Sequence, residues 1–302
     1  MRCATNPCSR VPVRGVTHVK PSAFSYHAPA SVHDVTALLA EHGDGAKVLA
    51  GGQSLVPMLS LRLAAFEHLI DLNKVDGLSG ITRSNGTLRV GAVVRQATAE
   101  HSTDVATSVP MLAKALPHIG HFQIRNRGTV GGSIAHADPA SELPAVTLAL
   151  DATIEAVGPS GTRQIAAADF FVSTWQTALD EGEILTAVEF PVWGPGSGFA
   201  VEELTRRHGD FALVGAAAGV QLSGGKVTKA ALGLFGLGPT PLRAAEAEAA
   251  LLAGADADEV GRVAASGLSP LDDIHASGAY RKKVAAVIVR RAVQAAMQEA
   301  GA

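Results

Sequence analysis

Two double-glycine stretches are the residues of this chain best suited to chemistry. Leu49-Ala50-Gly51-Gly52-Gln53-Ser54-Leu55 follows a short apolar run, and Thr129-Val130-Gly131-Gly132-Ser133 lies in a second segment free of bulky side chains. Glycine permits φ > 0, so successive amide N–H groups can turn toward one anion, and its missing Cβ lets a pyrophosphate approach the main chain. Gln53, Ser54, Thr129 and Ser133 add side-chain donors beside the turns. Two such turns in one chain point to a folded dinucleotide. Neither carries a lysine, so neither is a nucleoside-triphosphatase loop, and no G-x-G-x-x-G opens a helix after a strand. On this reading Gly51 and Gly132 each need an unusual φ as well as close approach, and valine at either position should expel the ligand.

Other arrangements carry less. His118-x-x-His121 has the spacing of a ligand pair, but a zinc site takes three or four ligands and no Cys, Asp or Glu lies at convergent spacing, so no metal site is expected. Asp169, Ser173 and His208 lack the G-x-S-x-G elbow of a hydrolase.

The elements that must position the turns follow from periodicity. Ser31-Val32-His33-Asp34 has the form of a capping box, and Val32, Val35, Leu38, Leu39 and His42 repeat at helical spacing until Gly43, which predicts a helix over 32–42. Lys47 to Leu49 reads as a strand feeding the first turn and His68 to Asp71 as its neighbour, giving a small α/β unit to about Lys74. Leu88 to Val94, Thr153 to Val157 and Ile184 to Phe190 read as strands of an α+β unit over about Val75 to Val192. The apolar Met111 to Leu116 and the second glycine turn lie inside it. Trp193-Gly194-Pro195-Gly196-Ser197-Gly198 is a linker by composition, with a free backbone. Beyond it, Phe211 to Leu222 and Lys226 to Leu234 flank Ser223-Gly224-Gly225 as a hairpin. Ala244 to Ala253 and Glu259 to Ala265 are alanine-rich helices, and Ala279 to Glu299 is a long helix with Tyr280, Val284, Val287, Ile288 and Val293 as its core side.

Composition sets the outer limits. The chain has 302 residues, 47% hydrophobic and 18% charged, with a net charge of −3. That suits two or three packed units and lacks the basic excess of a nucleic-acid binder. Cys3 and Cys8 are the only cysteines, so the body of the chain has no thiolate set for an iron–sulfur cluster. No signal peptide or membrane span is expected, and the default location is cytoplasmic.

Taken together, Ala50-Gly51-Gly52-Gln53-Ser54-Leu55-Val56-Pro57-Met58 with Arg62-Leu63, Gln123-Ile124-Arg125-Asn126-Arg127-Gly128-Thr129-Val130-Gly131-Gly132 and Asp138-Pro139-Ala140-Ser141-Glu142-Leu143-Pro144-Ala145 resemble the FAD-binding medium subunit of molybdenum hydroxylases. Arg206-Arg207-His208-Gly209-Asp210-Phe211-Ala212 and Ser277-Gly278-Ala279-Tyr280-Arg281 extend the likeness, which runs from about Phe24 to Arg291. It implies an α+β fold. Residues 1–19 would be a flexible leader and 20–193 a two-subdomain FAD-binding domain of the vanillyl-alcohol-oxidase / p-cresol-methylhydroxylase type, divided at about 74. Residues 199–302 would form a C-terminal α+β domain of antiparallel sheet and helices.

The resemblance further implies that FAD is held by Leu49, Ala50, Gly51, Gly52, Gln53, Ser54 and Leu55 in the first turn, and by Thr129, Gly131, Gly132, Ser133 and Asp138 around the second. Glu142 would be an acidic residue reaching the cofactor and Leu185 an apolar residue lining it. Ile119 would lie against the flavin, with Phe211 an aromatic at the same ring system. A solvated carboxylate at Glu142 and plain core packing at Leu185, Ile119 and Phe211 are the alternatives. Glu202-Glu203 stands where many relatives carry a lysine, so a cation at the flavin would be lost. The implied partners are a molybdopterin-binding large subunit and an iron–sulfur small subunit, in a dimer of heterotrimers, and no residue of this chain is expected to act on substrate. A stand-alone FAD-dependent oxidoreductase and a non-catalytic assembly subunit without flavin are the competing readings.

Overall fold

The computed structural model describes residues 20–302; residues 1–19, expected as a flexible leader and including Cys3 and Cys8, lie outside the described residues. The chain begins with β1 (Ser25–His27), α1 (Val32–His42), β2 (Ala46–Leu49), α2 (Leu55–Ser60) and β3 (His68–Asp71). The three strands form a parallel sheet in the order β1-β3-β2. α1 has the bounds its pattern predicts: Ser31 Oγ accepts from the Asp34 amide, and Gly43 at φ +47° ends the helix. Its Val35 and Leu39 pack with Ile70 of β3.

A second unit follows. β4 (Ile81–Ser84) and β5 (Thr87–Gly91) lead into short helices: α3 (Gln96–Glu100), α4 (Thr103–Ser108), α5 (Pro110–Ala115), α6 (Phe122–Arg127) and α7 (Val130–His136). Then come α8 (Glu142–Ala149), β6 (Thr153–Gly158), β7 (Gly161–Ala166), α9 (Ala167–Phe170), β8 (Phe171–Ser173), β9 (Gln176–Thr177) and β10 (Ile184–Pro191). The main sheet is antiparallel, ordered β4-β5-β10-β6-β7, with β8 and β9 paired separately. The run expected as a strand to Val94 stops at Gly91. A side chain there would strike the Leu78 carbonyl, and the Val94 amide bonds back to Gly91 to close a turn. All eight residues of α8 are buried, as suits a helix that is apolar on every side.

The third unit is the antiparallel sheet β11 (Ser197–Leu204), β12 (Val214–Ser223), β13 (Lys226–Phe235) and β14 (Leu242–Arg243), with α10 (Ala245–Leu252), α11 (Ala257–Ser266) and α12 (Gly278–Ala300). Strand alternation divides its two faces. Ala200, Ala216, Ala218, Leu232 and Leu234 pack with these helices, while Phe199, Val201, Ala217, Ala231 and Phe235 join the core of the second unit. Gly233 lets the sheet lie directly on the Ala145 carbonyl of α8.

Two expectations are corrected here. The buried stripe of α12 is Arg281, Ala285, Ile288, Val289, Ala292, Val293 and Ala296, whereas Tyr280 and Val287 are exposed. Ile288 and Val293 lie in this stripe as expected, and where α12 crosses β11 Gly198 faces the Ala296 carbonyl, a contact that only small residues allow. Arg281 is buried because its guanidinium donates to the carbonyls of Leu213 (2.7 Å) and Gly236 (3.0 Å) and to Asp273 (2.6 Å). The linker is also not free. Trp193 packs edge-on against Phe199 at 5.2 Å with Lys229 above its ring, and Gly196 accepts from the Leu222 amide. Among the described residues, no helix is long and apolar enough to cross a membrane.

Candidate functional site

The parallel strands β2 and β3 deliver Ala50 and Asp71 to the same end of the first sheet. Asp71 accepts from the phenol of Tyr26 (2.5 Å) and from the amide of Asn73 (2.8 Å). Asn73 donates to the Ala50 carbonyl (2.8 Å), and Arg95 bonds both Asn73 Oδ1 (2.5 Å) and the Arg127 carbonyl (2.5 Å). This relay ties the first glycine stretch to the segment that enters the second. Sequence reading missed it because its members are scattered from residue 26 to residue 127 with no common motif.

The two stretches then meet. A Cβ on Gly51 would lie 2.5 Å from the Arg127 carbonyl and 2.8 Å from Gly128 Cα, and one on Gly132 would lie 3.2 Å from the Ala50 Cβ. The amides of Gly51, Gly52, Gln53 and Ser54 have no acceptor among the described residues, and Gln53 Nε2 donates to the Gly51 carbonyl (3.2 Å). A row of unpaired amides walled by side-chain-free backbone fits a phosphate group. Leu49, Ala50, Ser54 and Leu55 are half-buried around it.

The expected φ requirement is corrected. In these stretches only Gly52 has positive φ (+75°); Gly51, Gly131 and Gly132 are glycine for closeness alone. The second stretch is the start of α7 rather than a turn. Thr129 Oγ1 caps the Gly132 amide (3.1 Å), and the amides of Val130 and Gly131 bond the carbonyls of Val94 (2.9 Å) and Ala92 (3.0 Å). A threonine N-cap outweighs the turn tendency of Gly-Gly, because it satisfies an otherwise orphaned helix donor. The half-buried Ser133 stands in the first turns of α7.

A second cluster forms where the third unit docks. Arg125 of α6, held by both oxygens of Glu100 (2.7 and 3.1 Å), donates to the carbonyls of Ile119 (3.1 Å) and Gly120 (3.3 Å) and fixes that bend. His118 just before it bonds Glu203 at 3.3 Å, and Glu142 at the start of α8 is 7% exposed. Burial pushes the Glu142 carboxyl up from 4.5 to about 8, with Glu203 and Asp138 adding repulsion and His118 opposing them. The hydrogen bond to Glu203 holds the His118 pKa above its ordinary value against the effect of burial. Glu142 is thus no solvated carboxylate. Glu202 and Glu203 part company: Glu203 points with Phe199 and Val201 into the second unit, and Glu202 with Ala200 toward the helices.

The remaining residues are dispersed. Ile119 packs at the edge of the main core, and the Leu185 side chain lies within it at 4% exposure. Phe211 is 64% exposed, ahead of β12, and lines a cavity of about 280 Å³ with Arg206, Gly209, Asp210, Leu213 and His275. Its loop rests on the imidazole of His121 through Gly209. His118 and His121 therefore serve different contacts. Asp138 accepts from the Ala140 amide (2.9 Å) and from the Trp175 indole (3.2 Å).

Comparison with known proteins follows this geometry. Residues 22–193 match the FAD binding domain in molybdopterin dehydrogenase, and 199–296 match the CO dehydrogenase flavoprotein C-terminal domain. The chain is 41% identical to the 6-hydroxypseudooxynicotine dehydrogenase complex subunit alpha of Paenarthrobacter nicotinovorans, covering 93% of this chain and 97% of that protein. It is 38% identical to the carbon monoxide dehydrogenase medium chain of Hydrogenophaga pseudoflava, over 91% of this chain and 98% of the other. A solved carbon monoxide dehydrogenase from Hydrogenophaga pseudoflava superposes with a TM-score of 0.90 at 40% identity, covering 92% of this chain and 99% of that chain. Quinoline 2-oxidoreductase from Pseudomonas putida 86 gives 0.88 at 39% identity, over 93% and 99%. The fold is accordingly the two-part FAD-binding domain followed by the α+β C-terminal domain. The chain belongs to the family of FAD-carrying medium subunits of molybdenum hydroxylases, as the flavoprotein part of an oxidoreductase.

Proposed function

We propose that this chain relays electrons from iron–sulfur clusters on a small partner subunit, through its FAD, to an external acceptor. Substrate oxidation would take place on a molybdopterin-binding large subunit, with two heterotrimers pairing in the cytoplasm. The observation that carries the cofactor assignment is the meeting of Gly51 with Arg127-Gly128 and of Gly132 with Ala50, beside four unpaired amides. When bound, FAD supplies redox chemistry that connects one- and two-electron carriers. The first stretch, Leu49 to Leu55, would hold the pyrophosphate through its amides. Thr129, Gly131, Gly132, Ser133 and Asp138 would close the other side by shape and side-chain donors. Ile119, Glu142, Leu185 and Phe211 would border the flavin ring, with Glu142 in its protonated form as a hydrogen-bond donor. Chains named for carbon monoxide dehydrogenase, nicotine 6-hydroxylase and glyceraldehyde dehydrogenase share at least 35% identity with this one, so substrate choice fits a site on another subunit.

The purified chain should show flavin absorption and oxidise neither an N-heterocycle, an aldehyde nor carbon monoxide until the molybdenum and iron–sulfur subunits are added. Steady turnover by the isolated, metal-free chain would favour a stand-alone oxidoreductase, and a flavin-free chain that still joins the complex would favour a purely structural subunit. Strand alternation sharpens a second test. Glu203→Lys should raise the flavin midpoint potential, because a cation on the face toward Glu142 favours the charge gained on reduction, whereas Glu202→Lys should leave it near wild type. Redox titration of both variants decides the point; equal potentials in all three proteins would remove Glu203 from the flavin environment.

A further inference from the structure

Three histidines that are far apart in sequence come together on the side of the first sheet that α1 covers. His27 ends β1, His42 ends α1 and His68 opens β3. The parallel register pairs Ser25 with His68 and His27 with Ile70, so His27 and His68 share a face with Ile70. That face is the one α1 covers through Val35 and Leu39, and the last residue of α1 is His42. His27 Nε2 and His68 Nδ1 lie 2.9 Å apart, and the rings of His42 and His68 stack at 3.6 Å. One nitrogen of each ring falls within 4.8 Å of the other two, and all three residues are half-buried. Among the described residues this is the one cluster of His, Cys, Asp and Glu side chains with such convergence.

We propose that His27, His42 and His68 form a binding site for a zinc-class divalent cation, which fastens β1 and the end of α1 to β3. Three imidazoles are borderline nitrogen donors, suited to Zn²⁺, Cu²⁺ or Ni²⁺ and unsuited to Ca²⁺ or Mg²⁺, which take oxygen ligands. Zn–N bonds of about 2.0–2.1 Å at tetrahedral angles set the nitrogens roughly 3.3 Å apart. The His27–His68 separation already approaches this, and His42 reaches it by turning out of its stack on His68. A solvent molecule completes the four-coordinate shell at the half-exposed side. The site stands at the C-terminal end of α1, where the helix dipole favours positive charge. Stability gained there would act on a three-residue edge strand and on the sheet that carries the first glycine loop. A site at these three histidines runs against the expectation that the chain holds no metal, which rested on the spacing around His118 and His121.

The test uses the full-length chain carrying Cys3→Ser and Cys8→Ser, which removes the only thiols, stripped with chelator and titrated with Zn²⁺ alone by calorimetry. One ion should bind per chain and raise the unfolding temperature, and X-ray absorption at the zinc edge should report three nitrogen neighbours of imidazole type. His42→Ala, at a helix end, and His27→Gln, on an edge strand, should each weaken binding at least about tenfold while flavin content stays at wild type. His33→Ala on the exposed side of α1 should bind as wild type. No saturable uptake, or equal uptake by wild type, His42→Ala and His27→Gln, overturns the site.

Discussion

Gly51→Val should purify with less than about a tenth of the wild-type flavin per chain. Its Cβ would fall 2.5 Å from the Arg127 carbonyl and 2.8 Å from Gly128 Cα, and both are backbone atoms with no rotamer to retreat into. Overpacking of this kind costs roughly 1–3 kcal/mol or more, and 1.4 kcal/mol is already tenfold in occupancy. The displacement would also move the amides of Gly51 to Ser54 away from a common anion. Gly132→Val should lose flavin less completely. Its nearest obstacle is the Thr129 side chain at 2.5 Å, which can rotate at the expense of the α7 cap, and the Ala50 Cβ is 3.2 Å away. Protein-bound flavin measured against peptide absorbance gives the result, with far-UV circular dichroism to show that helix content is retained. Wild-type loading in both variants would remove these stretches from the cofactor site.

Glu142→Gln should stabilise the flavin-free chain in alkaline solution and leave its stability in mild acid nearly unchanged. A carboxyl whose pKa is raised by folding binds more protons in the native state than in the unfolded one, so native stability falls as pH rises between the two values. For Glu142 that window runs from 4.5 to about 8. At about 1.4 kcal/mol per pH unit the full penalty is on the order of 5 kcal/mol, and glutamine, which mimics the neutral acid, avoids it. His118 contributes a slope of the same sign. Its raised pKa adds stability that is fully present below 6.5 and is lost as pH rises through the folded value. Some pH dependence should therefore persist in Glu142→Gln and diminish further in Glu142→Gln/His118→Gln. Urea unfolding across the window measures this. Parallel wild-type and Glu142→Gln profiles would mean that the carboxyl is ionised in the native protein.

The sequence by itself determined the parts whose signal is local. The α1 bounds, the strand feeding the first glycine stretch, the hairpin at Ser223-Gly224-Gly225 and the long C-terminal helix were all legible, because capping, periodicity and turn chemistry act over a few residues. The glycine stretches and their family resemblance pointed to FAD for the same reason: their residues are contiguous. Tertiary structure alone decided what those residues do. It made Gly51 and Gly132 a matter of contact between the first glycine loop and the entry to α7 rather than of φ, and committed the amides of Val130 and Gly131 to the fold. The docking of the third sheet on α8 buried Glu142 beside His118 and separated Glu203 from its neighbour Glu202. The same level of organisation linked Tyr26, Asp71, Asn73, Arg95 and Arg127, and gathered His27, His42 and His68. A pKa, a steric limit or a ligand set depends on what lies within a few ångströms in space, and residues dozens of positions apart leave no periodicity from which that proximity can be read.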